Sequence, residues 1–145
     1  MAVDVITRIT IDRPRSEVSA WAGDPDNAPA WYVNIKEVTW KTPPPLAEGS
    51  LVTFVARFMG RRLEYTYRIT ELQPGKRMVM KTSEGPFPME TTYGWEDAAG
   101  GGTVMTLENR GEPRGFSRLA APFMARAMRS ANEKDLQRLK TIMER

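Results

Sequence analysis

The side chains most used for proton transfer and nucleophilic attack at neutral pH are missing: the chain has no histidine and no cysteine. Imidazole acid–base catalysis, thiolate nucleophiles, disulfides and Cys/His zinc sites are thereby excluded. Tyr65, Tyr67 and Tyr93 fall at alternating positions of strand-like segments. A tyrosine has an ordinary pKa of about 10 and is a poor base at pH 7 unless a cation stands beside it. Arg57 and Arg110 supply that cation only if their strands turn the other way. Glu64, Glu90 and Glu108 occupy the same kind of segment at the opposite parity. No acids cluster at metal-ligand spacing, and the run Gly100-Gly101-Gly102 lies between two strand-like segments rather than before a helix, so it reads as a hairpin tip and not a phosphate loop. No metal and no cofactor are expected.

The order of the apolar patterns says what must position these groups. Val3, Val5, Thr7, Ile9 and Ile11 alternate with Asp4, Ile6, Arg8 and Thr10, a period-2 strand. Pro14 ends it and opens a short helix that stops at Gly23; Asp24-Pro25 starts a second, which Pro29 keeps short. Residues 35–41, 51–59, 63–72, 78–82, 87–96 and 103–110 then read as strands. They are separated by turn signals such as Gly60-Arg61, Pro74-Gly75 and Gly85-Pro86. Connections this short favour an antiparallel meander. From Gly115 onward the period changes to that of a helix, with Phe116, Leu119, Ala120, Phe123, Ala127, Ala131, Leu136, Leu139 and Met143 as its apolar stripe. A long sheet with a single long helix has one packing open to it: the sheet curls around the helix and buries its inner face there. The fold class is therefore α+β, a curved antiparallel sheet of about seven strands with two short helices after the first strand, wrapped around one C-terminal helix. The 145 residues form one domain, 1–145.

Strand parity assigns the two faces. Polar Glu64, Thr66, Arg68 and Thr70 make one side wet, so Leu63, Tyr65, Tyr67 and Ile69 point inward. The same rule turns Phe54 and Phe58, Met78 and Met80, Met89, Thr91, Tyr93 and Trp95, and Met105, Leu107 and Asn109 toward the helix. That inner face combines aromatics and pliant methionines with a few neutral polar tips, which suits a ligand cavity and also suits a filled core. No strand carboxylate points in, unless a bulge reverses a stretch of parity. The turns at 59–61, 84–87 and 111–116 share one end of a meander and mark the candidate mouth.

The net charge is only +3, and most strands carry acids beside their cations, so a mixed solvated surface is the plain reading. Nucleic acid is not an expected partner, because no basic stripe interleaves with exposed aromatics. No segment approaches the roughly 18 apolar residues of a membrane span, and the start, Met1-Ala2-Val3-Asp4, lacks the features of a signal peptide. The expected location is cytoplasmic.

This layout resembles the SRPBCC superfamily, the START-like or helix-grip proteins, and specifically its bacterial polyketide cyclase/dehydrase-like branch. The resemblance rests on Ile11, Pro14, Val18 and Trp21 followed by Asp24, Asn27, Pro29 and Trp31. It continues through Tyr67-Arg68-Ile69-Thr70-Glu71-Leu72-Gln73-Pro74-Gly75, Gly94-Trp95-Glu96, Gly102-Thr103, and Leu136, Leu139-Lys140 and Glu144. These motifs are structural, not catalytic, and speak for fold more than chemistry. The resemblance implies a hydrophobic cavity between sheet and long helix, with no metal or nucleotide. The expected ligand-binding residues are Phe54, Phe58, Tyr65, Tyr67, Met80, Met89, Thr91, Tyr93, Met105 and Asn109 on the sheet. Phe116, Leu119, Phe123 and Ala127 are expected opposite them on the helix. The leading functional expectation is a binding module for a hydrophobic small molecule such as a lipid, a quinone or a polyketide-like aromatic. The alternatives are a cyclase/dehydratase-type enzyme working through pocket Tyr, Arg or Glu, and a protein-interaction or membrane-docking module. The last would use Phe116, Phe123, Met124 and Met128 among the arginines.

Overall fold

The alternation read from the sequence becomes one antiparallel sheet. The structure is a computed structural model that describes residues 3–58, 60–85, 88–111 and 121–145, without the side chains of Phe58 and Ala121. The strands are β1 (Val3–Ile11), β2 (Ile35–Trp40), β3 (Leu51–Phe58), β4 (Arg61–Gln73), β5 (Arg77–Glu84), β6 (Met89–Asp97) and β7 (Thr103–Gly111). Their order across the sheet is β1-β7-β6-β5-β4-β3-β2, every pair antiparallel. Strands β2 to β7 thus form a meander, and β1 closes it from the other side. Gly60 and Gly75, with φ of 76° and 79°, make two of its hairpin turns in a conformation other residues resist.

Two short helices, α1 (Arg15–Ala22) and α2 (Ala28–Trp31), follow β1, with a 3-10 turn at Pro25–Asn27 between them. Asp24 caps that turn as its sequence context predicts, its carboxylate accepting the Asp26 N–H at 3.0 Å. The long helix α3 runs Ala121–Met143. It lays Met124, Met128, Leu136 and Leu139 against the sheet, each at most 8% exposed. Burying a side chain of that size is worth roughly 1.5–3 kcal/mol, so these four anchor the helix. Among the described residues no helix is long and apolar enough to cross a membrane.

Charged residues of α3 do a second job. Strand β1 is a sheet edge with unpaired carbonyls, a liability for aggregation. Arg129 donates to the Ile6 carbonyl at 3.1 Å and Lys140 to that of Thr10 at 2.7 Å. The Asp12 N–H donates to Glu144 at 2.8 Å. The cations of the helix thus blunt the edge.

Strand parity holds along the inner face. Val52, Phe54, Leu63, Tyr65, Tyr67, Ile69, Met78, Met80, Met89, Tyr93, Trp95, Met105 and Leu107 are all buried in one apolar cluster. Bulges are present, at Ile35/Glu37 in the β2–β3 pairing and at Thr66/Tyr67 and Ile69/Glu71 in β4–β5. They do not bring Glu64, Glu90 or Glu108 inside. Glu64 faces Arg62 and Glu90 faces Lys81 on the outer side. Glu108 stands beside Asp4, and desolvation, followed by that neighbouring carboxyl, raises its pKa from the ordinary value.

Candidate functional site

A cleft of ≈ 120 Å³ separates the concave face of the sheet from the first half of α3. Ala56 and Leu63 place it near the β3–β4 turn, the end expected to carry the mouth. Its sheet wall contains Phe54, Tyr65, Tyr67, Met89 and Asn109, five of the residues that parity selects. Their rings interlock, with Phe54 and Tyr67 edge to face at 5.8 Å and Tyr65 and Tyr67 tilted at 5.9 Å. Two glycines let the wall close up. A Cβ on Gly85 would stand 2.7 Å from the Tyr65 ring, and a Cβ on Gly111 would collide with the Met89 sulfur. For scale, a dry cavity of about 150 Å³ holds one benzene molecule, so the described cleft admits a single ring or a length of alkyl chain.

The remaining expected residues lie elsewhere. Met80 and Tyr93 border a separate void of ≈ 10 Å³ under α1 and α2. Met105 is fully buried core at 0% exposed. Thr91 is buried and donates to Asn109 Oδ1 at 2.7 Å, so it fixes a cleft residue without lining the cleft. Phe58, Phe116 and Leu119 lie outside the described residues or side chains.

The helix wall corrects the expected stripe. Phe123 is 64% exposed and Ala127 is not part of the lining. Met124, Met128, Ala131, Asn132 and Asp135 are. The reason is helical phase. At about 100° per residue, Phe123 lies roughly 160° around the helix from Leu139, whereas Met128, Asn132 and Asp135 all lie within about 40° of it. Counting back from the closing leucines Leu136 and Leu139 finds this face. It is easily missed in a sequence because it includes an amide and a carboxyl, residue types that usually face solvent. The same finding removes Met124 and Met128 from the surface expected to meet partners or membranes.

Asp135 is therefore the functional group that strand parity could not reveal. It is 2% exposed, and its Oδ1 accepts the Val33 N–H at 2.7 Å, tying α3 to the chain that leaves α2. Burial pushes its carboxyl up to about 7, against the opposing pull of the Val33 hydrogen bond and the Arg138 guanidinium. Arg138 itself donates to the Ala30 carbonyl at 2.8 Å. One turn earlier, Asn132 is 4% exposed and its buried Nδ2 has no hydrogen-bond partner among the described residues. The expectation of neutral tips alone is thus replaced by a cleft with one titratable carboxyl.

Tyr32, at the end of α2, lines the cleft from a third side. Its hydroxyl meets that of Tyr93 at 2.6 Å, and its ring stacks tilted on Trp31 at 4.1 Å. Burial raises the pKa of both tyrosines of this pair, so both stay neutral at physiological pH. Tyr67 is pushed up to about 12 by burial, with a hydrogen bond to Thr91 working the other way. None of these phenols is a base at pH 7. Among the described residues no group of His, Cys, Asp and Glu could hold a metal ion. A broader groove of ≈ 650 Å³ lies at the opposite end, between α1, Pro44-Pro45 and the β4–β5 turn, over Trp40, Leu46, Leu72 and Trp95. It lies outside the sheet–helix space and contains neither Asn132 nor Asp135.

The sequence matches, over residues 2–144, the family described as polyketide cyclase / dehydrase and lipid transport. No curated protein matches it significantly in sequence. Solved structures share its fold. A START superfamily protein from Mycobacterium smegmatis aligns with a TM-score of 0.84 at 12% identity, covering 98% of this chain and 97% of that one. A protein from Thermus thermophilus aligns at 0.83 and 20% identity, covering 95% and 94%. The Zhui aromatase/cyclase from Streptomyces sp. R1128 aligns at 0.82 and 16% identity, covering 100% and 95%. At these identities the likeness concerns the fold.

Proposed function

Because the chain belongs to the polyketide cyclase/dehydrase and lipid-transport family of START-like proteins, and its sheet and long helix part to leave an apolar cleft, we propose that it binds a hydrophobic small molecule there. The observation that carries this reading is the composition of the cleft: Phe54, Tyr65, Met89, Met124 and Met128 converge on one opening. Aromatics and pliant methionines around a few polar groups are the ordinary make-up of a site for apolar ligands. The described volume takes a ring or chain segment, so a lipid, quinone or polyketide-like ligand would insert one end.

Methionine methyl resonances test this directly. Titration with a small apolar aromatic is expected to shift the ε-methyls of Met89, Met124 and Met128, and to leave those of Met78 and Met105 in place. Equal shifts at all of them, or none at any, would overturn the reading. Native mass spectrometry with organic extraction of gently purified protein then identifies what co-purifies.

A second reading, catalysis of the cyclase/dehydratase type, is favoured by one observation: a carboxyl held near neutrality at the cleft can exchange a proton with a bound substrate. It requires that Asp135→Asn abolish turnover of a polyketide-like substrate while leaving its affinity intact.

A further inference from the structure

Asp135 is 2% exposed and forms part of the cleft wall, so the solvent nearest its carboxyl is the solvent of the cleft. An open cleft of ≈ 120 Å³ has room for several waters, each with a share of about 30 Å³. Water there lowers the cost of a charge in the wall even without touching it, because a carboxylate's field carries through the protein interior. The other groups that face Asp135 leave this task to the solvent. On α3 itself, Arg138 attracts the carboxyl but donates to the Ala30 carbonyl. From α2 and β6, Tyr32 and Tyr93 are neutral and bonded to each other. From β2, Lys36 donates to the Val33 carbonyl at 2.9 Å. The Val33 N–H is the donor that Asp135 Oδ1 accepts, and it holds the carboxyl at the wall whether a ligand is present or not.

We propose that the cleft binds neutral apolar molecules together with a proton: the seated ligand displaces water from beside Asp135, and the carboxylate takes up a proton from solution. The inference rests on the ligand-binding reading above and adds its regulation by pH. The direction follows from desolvation, which favours the neutral form of a carboxyl. No contact between ligand and carboxyl is needed, only the exchange of water for hydrocarbon in the cleft. The free carboxyl titrates at about 7, so near neutral pH part of the population is ionised and open to conversion. Below that range the proton is in place before the ligand arrives, and affinity is level. As pH rises through it, the ligand must restore the proton, and affinity falls. The chain has no histidine, so the commonest source of such a dependence is missing.

The probe is p-xylene, which is sized for one ring and has no titrating group of its own. Calorimetric titration at neutral pH in phosphate and in imidazole, two buffers of different ionisation enthalpy, counts the protons taken up per ligand bound. If the seated ligand favours the protonated over the ionised carboxyl by about three- to ten-fold, the count should be roughly 0.3–0.4 at about pH 7, and Kd should weaken about three- to seven-fold from about pH 6 to about pH 8.5. Asp135→Asn should abolish the uptake and flatten the pH profile, whatever its affinity. A wild-type measurement guards against a variant that folds poorly: the titration midpoint of the Asp135 carboxyl carbon, followed by NMR, should move upward when the protein is saturated with p-xylene. A Kd independent of pH, an unmoved or lowered midpoint, or uptake that persists in folded Asp135→Asn protein overturns the inference while leaving apolar binding intact. Failure of p-xylene to bind at any pH overturns both.

Discussion

Replacing Asp135 by Asn should make the protein less sensitive to pH, and the size of the change follows from where the carboxyl sits. Burial holds its pKa at about 7 in the folded state, against an ordinary 3.8. Between those values the folded chain keeps a proton that the unfolded chain has released. The stability this contributes is complete below about pH 4 and fades as pH rises through about 7. At about pH 5 the contribution is roughly 2.5 kcal/mol, and at about pH 8 it is near zero. Other titrating groups cancel when the variant is subtracted from the wild type at each pH. Those nearest include Tyr32 and Tyr93, which remain neutral throughout. Asparagine retains an oxygen to accept the Val33 N–H, so the anchor between α3 and α2 is kept. With a urea m-value of about 2 kcal/mol/M, the wild-type midpoint should fall by about 1 M more than the variant's between pH 5 and pH 8. Parallel midpoints for the two proteins would refute the claim that this carboxyl is buried and raised.

Two further outcomes follow from the packing. Met124→Ala should cost roughly 2–5 kcal/mol of stability because it empties fully buried space, whereas Phe123→Ala should stay within about 0.5 kcal/mol since its ring is exposed; urea denaturation of both reads the phase of α3, and the reverse order would sink it. Tyr93→Phe should cost about 0.5–1.5 kcal/mol by leaving the Tyr32 hydroxyl without its partner, and its effect on ligands should be indirect, through Tyr32; a variant as stable as wild type would show that the pair contributes nothing.

What could be read from the sequence was set by short-range periodicity. Alternation along β3, β4, β6 and β7 is enforced by the pleat within each strand, and burying the apolar side of each puts Phe54, Tyr65, Met89 and Asn109 on one face. The order of patterns and turns then left one packing for a long sheet and one helix, and the absence of His and Cys closed off whole classes of chemistry. The phase of α3 was a different kind of problem. Phe123, Met124, Ala127 and Met128 are all apolar, so two stripes compete locally, and the choice is made by which one meets the sheet. Tertiary packing chose the stripe aligned with Leu136 and Leu139, which turned Phe123 outward and drew Asn132 and Asp135 in. Nor can a sequence show that the N–H of Val33, 102 residues from Asp135, stabilises a carboxyl in an apolar wall. The pKa of that group belongs to the assembled cleft, because desolvation and hydrogen bonding arise only when sheet, short helix and long helix come together.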